Sequence, residues 1–197
     1  VHPTDLAIAP RSAVLLVIDI QDKLAAAMPA EACAALQRNT AILLEAARRF
    51  AIPVIATEQY PRGLGATTPP VAQALDAVAA GGGDVARFDK LTFSACAAEP
   101  FAPLYARHAA AGRDTWIVVG MEAHVCVMRT VRELRGRGAH VHVVADAVTS
   151  RTEDNRRIGL GLMDRAGAMI TSTETVVFEL LGAAGSDDFK ALSKLVK

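Results

Sequence analysis

The feature that most constrains this chain is an alternation repeated along its length: a short apolar, β-branched run, then a longer stretch of helical periodicity. The residues 13–18 (AVLLVI) form a continuous apolar strand ending at Asp19. Residues 29–49 repeat apolar side chains at helical spacing and finish on Arg48 and Arg49, cations suited to a helix C-terminus. The same reading gives strands at 53–57, about four residues from Asp84, 115–119, 140–145 and 168–171. It gives helices at 71–78, 101–111, 124–135, 154–166, 173–181 and 187–196. Six strands alternating with helices predict parallel β-α-β units, and near-continuous apolar strands predict a sheet covered on both faces. The expected fold is α/β: a three-layer α/β/α sandwich around a six-stranded, mostly parallel, Rossmann-like sheet. No linker or repeat divides the 197 residues, so one domain over 1–197 is expected.

Composition narrows the function. With 21 Lys and Arg against 21 Asp and Glu, the chain has no basic excess for nucleic acid. Its apolar runs fall far short of the ~20 residues that span a bilayer, so no membrane partner is expected. The first apolar run is interrupted by Asp19 and has no basic segment before it, unlike a secretory signal. Cys33, Cys96 and Cys126 are too few and too scattered for a disulfide framework or a zinc pair. Unpaired thiols fit a reducing compartment, and the expected location is cytoplasmic.

In open parallel sheets, ligands bind beyond the carboxyl ends of the strands. Polar and reactive residues gather there: Asp19, the segment 58–65, the segment 87–90, and the segment 120–126. Cys126 sits just inside a predicted helix start, where orphan N–H groups favour a thiolate and can receive an oxyanion. Asp19 and Lys90 offer a carboxylate base and a cation beside it. From position alone, a core cysteine and a helix-capping aspartate explain these residues as well.

The segments V-I-D-I-Q at 17–21, K-L-T-F-S-A-C at 90–96 and V-V-G-M-E-A-H-V-C-V at 118–127 resemble the isochorismatase-like cysteine hydrolase family, which includes nicotinamidases and N-carbamoylsarcosine amidases. T-E-Q-Y-P-R-G-L-G at 57–65, V-H-V-V-A-D-A-V-T-S-R at 141–151 and F-K-A-L-S-K-L at 189–195 are most similar to its isochorismatase domain-containing subgroup and bacterial relatives. The resemblance implies a triad of Asp19, Lys90 and Cys126. Cys126 would attack a carbonyl and form a thioester, Asp19 would act as general base and then acid, and Lys90 would stabilise the charges. It implies an oxyanion hole from the backbone N–H groups of Ala123 and Cys126, with a cis peptide at Glu122–Ala123. It also implies a homodimer or larger even-numbered assembly.

Two departures sharpen the expectation. Family members that hydrolyse isochorismate lack the cysteine, so Cys126 points to amide, ureido or related acyl chemistry on a small molecule. Nicotinamidases hold a metal with histidines after strand two, where this chain has Glu58, Gln59 and Tyr60. No metal and no other cofactor is expected. Gln21, Glu58, Gln59, Tyr60, Phe93 and Glu122 are expected to line the pocket, although Pro61, Gly63 and Gly65 also suit a plain turn. His124 is two residues from Cys126, on another helix face, so a Cys–His dyad is disfavoured. His140 and His142 share a strand face without an evident third ligand. The competing class is a catalytically silent small-molecule-binding or protein-interaction module on the same fold.

Overall fold

The computed structural model describes residues 6–197, so the first five residues of the expected domain lie outside it. Six strands form one sheet: β1 (Ala13–Ile18), β2 (Val54–Gln59), β3 (Val85–Lys90), β4 (Thr115–Met121), β5 (His140–Thr149) and β6 (Met169–Thr171). Their spatial order is β3-β2-β1-β4-β5-β6 and every adjacent pair is parallel. This doubly wound order reverses direction between β1 and β4, which is where such sheets open a crevice. The helices between them are α1 (Asp22–Ala26), α2 (Ala30–Arg49), α3 (Pro61–Leu64), α4 (Pro69–Ala80), α5 (Phe101–Ala110), α6 (Met128–Gly136), α7 (Glu153–Arg165), α8 (Thr173–Leu181) and α9 (Asp187–Leu192). Among the described residues, no helix is long and apolar enough to cross a membrane.

The two cores follow from strand alternation. Successive side chains of β1 point to opposite faces. Leu15 and Val17 enter the core shared with Leu36, Leu43 and Leu44 of α2, Leu75 of α4 and Val176 of α8. Val14, Leu16 and Ile18 enter the other, with Phe101 of α5, Val131 and Leu134 of α6 and Met163 of α7. All six β1 residues are buried, as an apolar run covered on both faces requires. The helix starts are marked by hydroxyls: Thr152 accepts from Asn155 N, Ser172 from Thr175 N and Ser186 from Phe189 N.

Several boundaries differ from the expectation. β2 runs on through Glu58 and Gln59, and β3 through Lys90, because each pairs with its neighbour to that end. β5 extends to Thr149 after a register shift against β4 between Val118 and Gly120. The short helices α1 and α3 carry too few residues for a periodic signal. The last helix stops at Leu192, where the side chain enters the core and the chain turns, Leu195 N donating to Leu192 O.

Candidate active site

The ends of β1, β2 and β3 and the segment after β4 meet at the reversal of strand order. Asp19 follows β1 in a left-handed conformation, with φ of 52°. Its backbone N–H is held by Thr57 O at 3.1 Å. The carboxylate is wholly buried and doubly engaged: Thr57 Oγ1 donates to Oδ1 at 2.7 Å, and Lys90 Nζ donates to Oδ2 at 2.6 Å. Thr57 is there because parallel pairing sets it opposite Ile18, one residue before Asp19.

Lys90 closes β3 with its ammonium buried. Besides Asp19, Nζ donates to Gln59 Oε1 at 2.8 Å and to the carbonyls of Thr92 and Phe93, each at 3.3 Å. An ammonium has three N–H donors, so this ring of acceptors holds it as a fixed cation. Gln59 is itself fixed: its Nε2 donates to Leu91 O, and its backbone N–H donates to Gln21 Oε1 at 2.7 Å. Gln21 Nε2 returns bonds to Gln59 O and Gly65 O. The two glutamines clamp the cation's surroundings instead of presenting free amides to a pocket.

Cys126 lies in a single π-helical turn, Ala123–Val127, that precedes α6. An α-helical start at 124 was the expectation; such turns recur at functional sites and re-aim the side chains they carry. The chain turns between β4 and this segment through Glu122 alone. The cis peptide is Met121–Glu122, one bond earlier than the expected Glu122–Ala123. The correction follows from local structure: β4 persists through Met121 and the helical turn begins at Ala123, which places the junction at the entrance to Glu122. Two glycines let backbones converge here. A Cβ on Gly120, at φ of 132°, would lie 2.1 Å from Ile18 O, and one on Gly159 of α7 would lie 2.8 Å from Ala123 O.

The thiol of Cys126 lies close enough to the Asp19 carboxylate for each to act on the other's titration. Burial, and then the Asp19 charge, push the thiol up to about 12, with Lys90 opposing. This corrects the expectation of a resting thiolate: the helix start is present, but desolvation outweighs it. Burial likewise raises the Asp19 carboxyl, against the lowering pull of Lys90 and of the Thr57 and Cys126 hydrogen bonds. The resting arrangement is a protonated thiol beside a carboxylate of raised basicity.

The expected pocket residues divide. Glu58 points away, its Oε1 accepting from the N–H and hydroxyl of Thr67. Glu122 is buried and accepts from Arg151 N at 3.2 Å and Nε at 3.0 Å, fixing the loop after β5. Tyr60 and Phe93 are half exposed; Tyr60 lines a hollow of about 320 Å³ with Arg62, Asp89, Lys90 and Leu91. Arg129 lies over the Phe93 ring, 5.8 Å from its centroid. His124 engages Ser150 Oγ at 3.0 Å and not Cys126. Among the described residues, no group of three or more His, Cys, Asp or Glu side chains converges as a metal cage would. A roomier hollow of about 560 Å³, lined by Arg38, Asn39, Asp146 and Thr173, contains none of Asp19, Lys90 or Cys126. Thr57 and Thr130 escaped the sequence reading. Thr57 becomes visible once β1 and β2 are paired, whereas Thr130 carries no sequence signal.

Comparison with known proteins places this geometry in a family. A profile of the isochorismatase domain matches residues 13–175. A secreted isochorismatase effector from Phytophthora sojae is 36% identical over 194 residues, covering 95% of this chain and 86% of the relative. Isochorismatase domain-containing protein 2 from Xenopus laevis is 33% identical over 186 residues, covering 94% and 84%. A solved structure described as MAR1 ribonuclease from Caenorhabditis elegans superimposes with a TM-score of 0.84 at 35% identity, covering 96% of this chain and 92% of that one. The chain belongs to the isochorismatase domain family and has its hydrolase fold.

Proposed function

We propose that the protein is a metal-independent cysteine hydrolase that cleaves a small amide, ureido or related acyl substrate through a thioester on Cys126. The observation that carries this reading is one buried carboxylate, Asp19, shared between the Lys90 ammonium at 2.6 Å and the Cys126 thiol. With the thiol near 12, a free-standing thiolate at neutral pH costs on the order of 7 kcal/mol. Proton transfer to Asp19 therefore accompanies attack of Sγ on the carbonyl carbon. The Lys90 charge stabilises the negative charge as it passes from Asp19 to sulfur, since its acceptors already hold it in place.

The tetrahedral oxyanion is received by the backbone N–H groups of Ala123 and Cys126. Asp19 returns its proton to the leaving nitrogen as the C–N bond breaks. Water, deprotonated by Asp19, then attacks the thioester; the acid is released and the thiol regains its proton. Asp19 and Lys90 are held by their hydrogen bonds before substrate arrives, which is how positioning lowers a barrier. A metal-free site is supported by the donor set: Glu58 is spent on Thr67, and Gln59 on Lys90 and Leu91. A small neutral or weakly charged substrate suits the balanced charge of the chain better than a polyanion does. A cytoplasmic, even-numbered homo-oligomer is part of the same proposal.

The test is a panel of small primary amides, ureido acids and acyl esters, with the protein quenched in acid and examined by mass spectrometry. An acyl adduct confined to Cys126, and turnover lost in Cys126→Ser, are expected. Turnover that persists in Cys126→Ser would refute the nucleophile. Binding of panel members without any adduct or turnover would favour the silent binding module.

A further inference from the structure

Lys90 and Cys126 reach the site from strands that are not neighbours. Lys90 ends β3 at the sheet edge, Cys126 follows β4, and β2 and β1 lie between. The segment after Lys90 crosses over those two strand ends. At its start, the carbonyls of Thr92 and Phe93 accept from Lys90 Nζ. Thr92 Oγ1 donates to Ser94 O, and Ser94 Oγ accepts from Cys96 N, folding the segment into a short 3₁₀ turn, Ala95–Ala97. At its far end stands Thr130, in the first turn of α6 and wholly buried. Its hydroxyl accepts from Ala95 N at 2.9 Å and donates to Cys126 O at 2.7 Å. Cys96 Sγ adds a weaker contact to Thr130 O at 3.8 Å.

A threonine hydroxyl bonding four residues back along a helix is common. Here the same oxygen also satisfies a buried N–H from a segment 35 residues away. We infer that Thr130 is a positioning residue: its hydroxyl ties the carbonyl of the nucleophile to the segment whose carbonyls hold Lys90, fixing the two ends of the triad relative to each other. The inference rests on the cysteine-hydrolase reading. It adds a second path between Lys90 and Cys126 besides the one through Asp19. Removing the hydroxyl leaves a buried N–H and a buried carbonyl without this partner, and frees the turn to shift against Asp19.

The experiment uses the full chain and p-nitrophenyl acetate as the probe. Its acetyl group passes from the phenolate oxygen to Sγ, p-nitrophenolate leaves, and the thiol proton goes to Asp19 and then to solvent. Acetylation of each cysteine is followed by peptide mass spectrometry in wild type, Thr130→Val and Thr130→Ser, with melting temperatures recorded. Thr130→Val is expected to slow acetylation of Cys126 by about tenfold or more, and Thr130→Ser to restore it to within about threefold, since displacements of an ångström are costly to attack geometry. Acetylation of Cys33, far from this segment, stays at its wild-type rate. Wild-type reactivity in Thr130→Val overturns the inference. So does a Thr130→Ser rate as low as that of Thr130→Val, because packing of the methyl group would then explain the loss. If Thr130→Val does not fold, Thr130→Ala, which creates space instead of an apolar contact, is read against Thr130→Ser in the same way. Wild-type Cys126 that takes acetyl no faster than Cys33 would remove the nucleophile reading, and this inference with it, before any variant is compared.

Discussion

Cys96 and Cys126 are two thiols buried to the same degree, each 5% exposed, and burial pushes both up to about 12. Their surroundings separate them. Cys96 faces the carbonyl of Thr130, and the charges of Arg137 and Glu133 act on it in opposite directions. Cys126 faces Asp19, whose two carboxylate oxygens are held by Thr57 and Lys90. The position of the titration therefore does not distinguish a nucleophile from a core residue. What distinguishes it is a neighbouring base that is itself fixed and backed by a cation.

The largest expected effect comes from removing that base. Asp19→Asn keeps the size and one acceptor oxygen, which serves either Lys90 Nζ or the Thr57 hydroxyl in place of the two carboxylate oxygens, and it cannot take the thiol proton. Acetylation of Cys126 by p-nitrophenyl acetate should fall by about two orders of magnitude or more, while Cys96 keeps its low rate. The two thiols would then react alike. The variant also leaves the Lys90 ammonium buried with a neutral partner, so lower stability is expected in the same preparation. Cys126 that remains faster than Cys96 in a folded Asp19→Asn protein would assign its reactivity to the helix start instead.

The turns carrying the two thiols differ as well. The turn of Cys96 is short, capped by Ser94 and tied through its carbonyl to Arg137. That of Cys126 is pressed by α7, which approaches so closely that Gly159 has no room for a Cβ beside Ala123. Gly159→Ala should destabilise the fold by about 1–3 kcal/mol through overpacking. Gly136→Ala, in α6 with open space around it, should be neutral or stabilising by up to about 1 kcal/mol. Urea unfolding of the two variants measures the contrast. Equal effects would mean that α7 yields freely and does not buttress the nucleophile's turn.

How much of this was legible in the sequence depended on what kind of signal carried it. β1 and Asp19 stood out because an unbroken apolar run stops at a carboxylate. The ends of β2 and β3 did not: Glu58 and Gln59 lie beyond the expected strand beside turn-forming residues, and VARFDK on the sheet edge is only partly buried. So Gln59 and Gln21, expected at a pocket wall, are clamps around Lys90. The triad itself was reached through family motifs, which preserve residue type and order. The direction of the Cys126 titration is not legible in the sequence, which shows a helix start but not how deeply it is buried. The π-helical turn and the Thr130 tie have no sequence signature, since each arises from segments brought together by the sheet.

The smallest expected effect tests whether both thiols remain neutral in the fold. In the unfolded chain a thiol titrates near 9.0, and in the folded protein both are near 12. Between those values the unfolded state has lost protons that the native state retains, so stability must fall as pH rises through this window. Each thiol contributes a slope that approaches about 1.4 kcal/mol per pH unit between those values, and at neutral pH neither contributes a slope. Cys96→Ala removes one share and should leave a plot of unfolding free energy against pH that is shallower by that amount from pH 9.5 to 11. The small cavity shifts the whole curve without changing its slope. Cys126→Ala should flatten the plot to a similar degree, because burial is the leading cause at both sites. An unchanged slope in Cys126→Ala, beside a reduced one in Cys96→Ala, would mean that Lys90 outweighs burial and holds the Cys126 titration near its ordinary value.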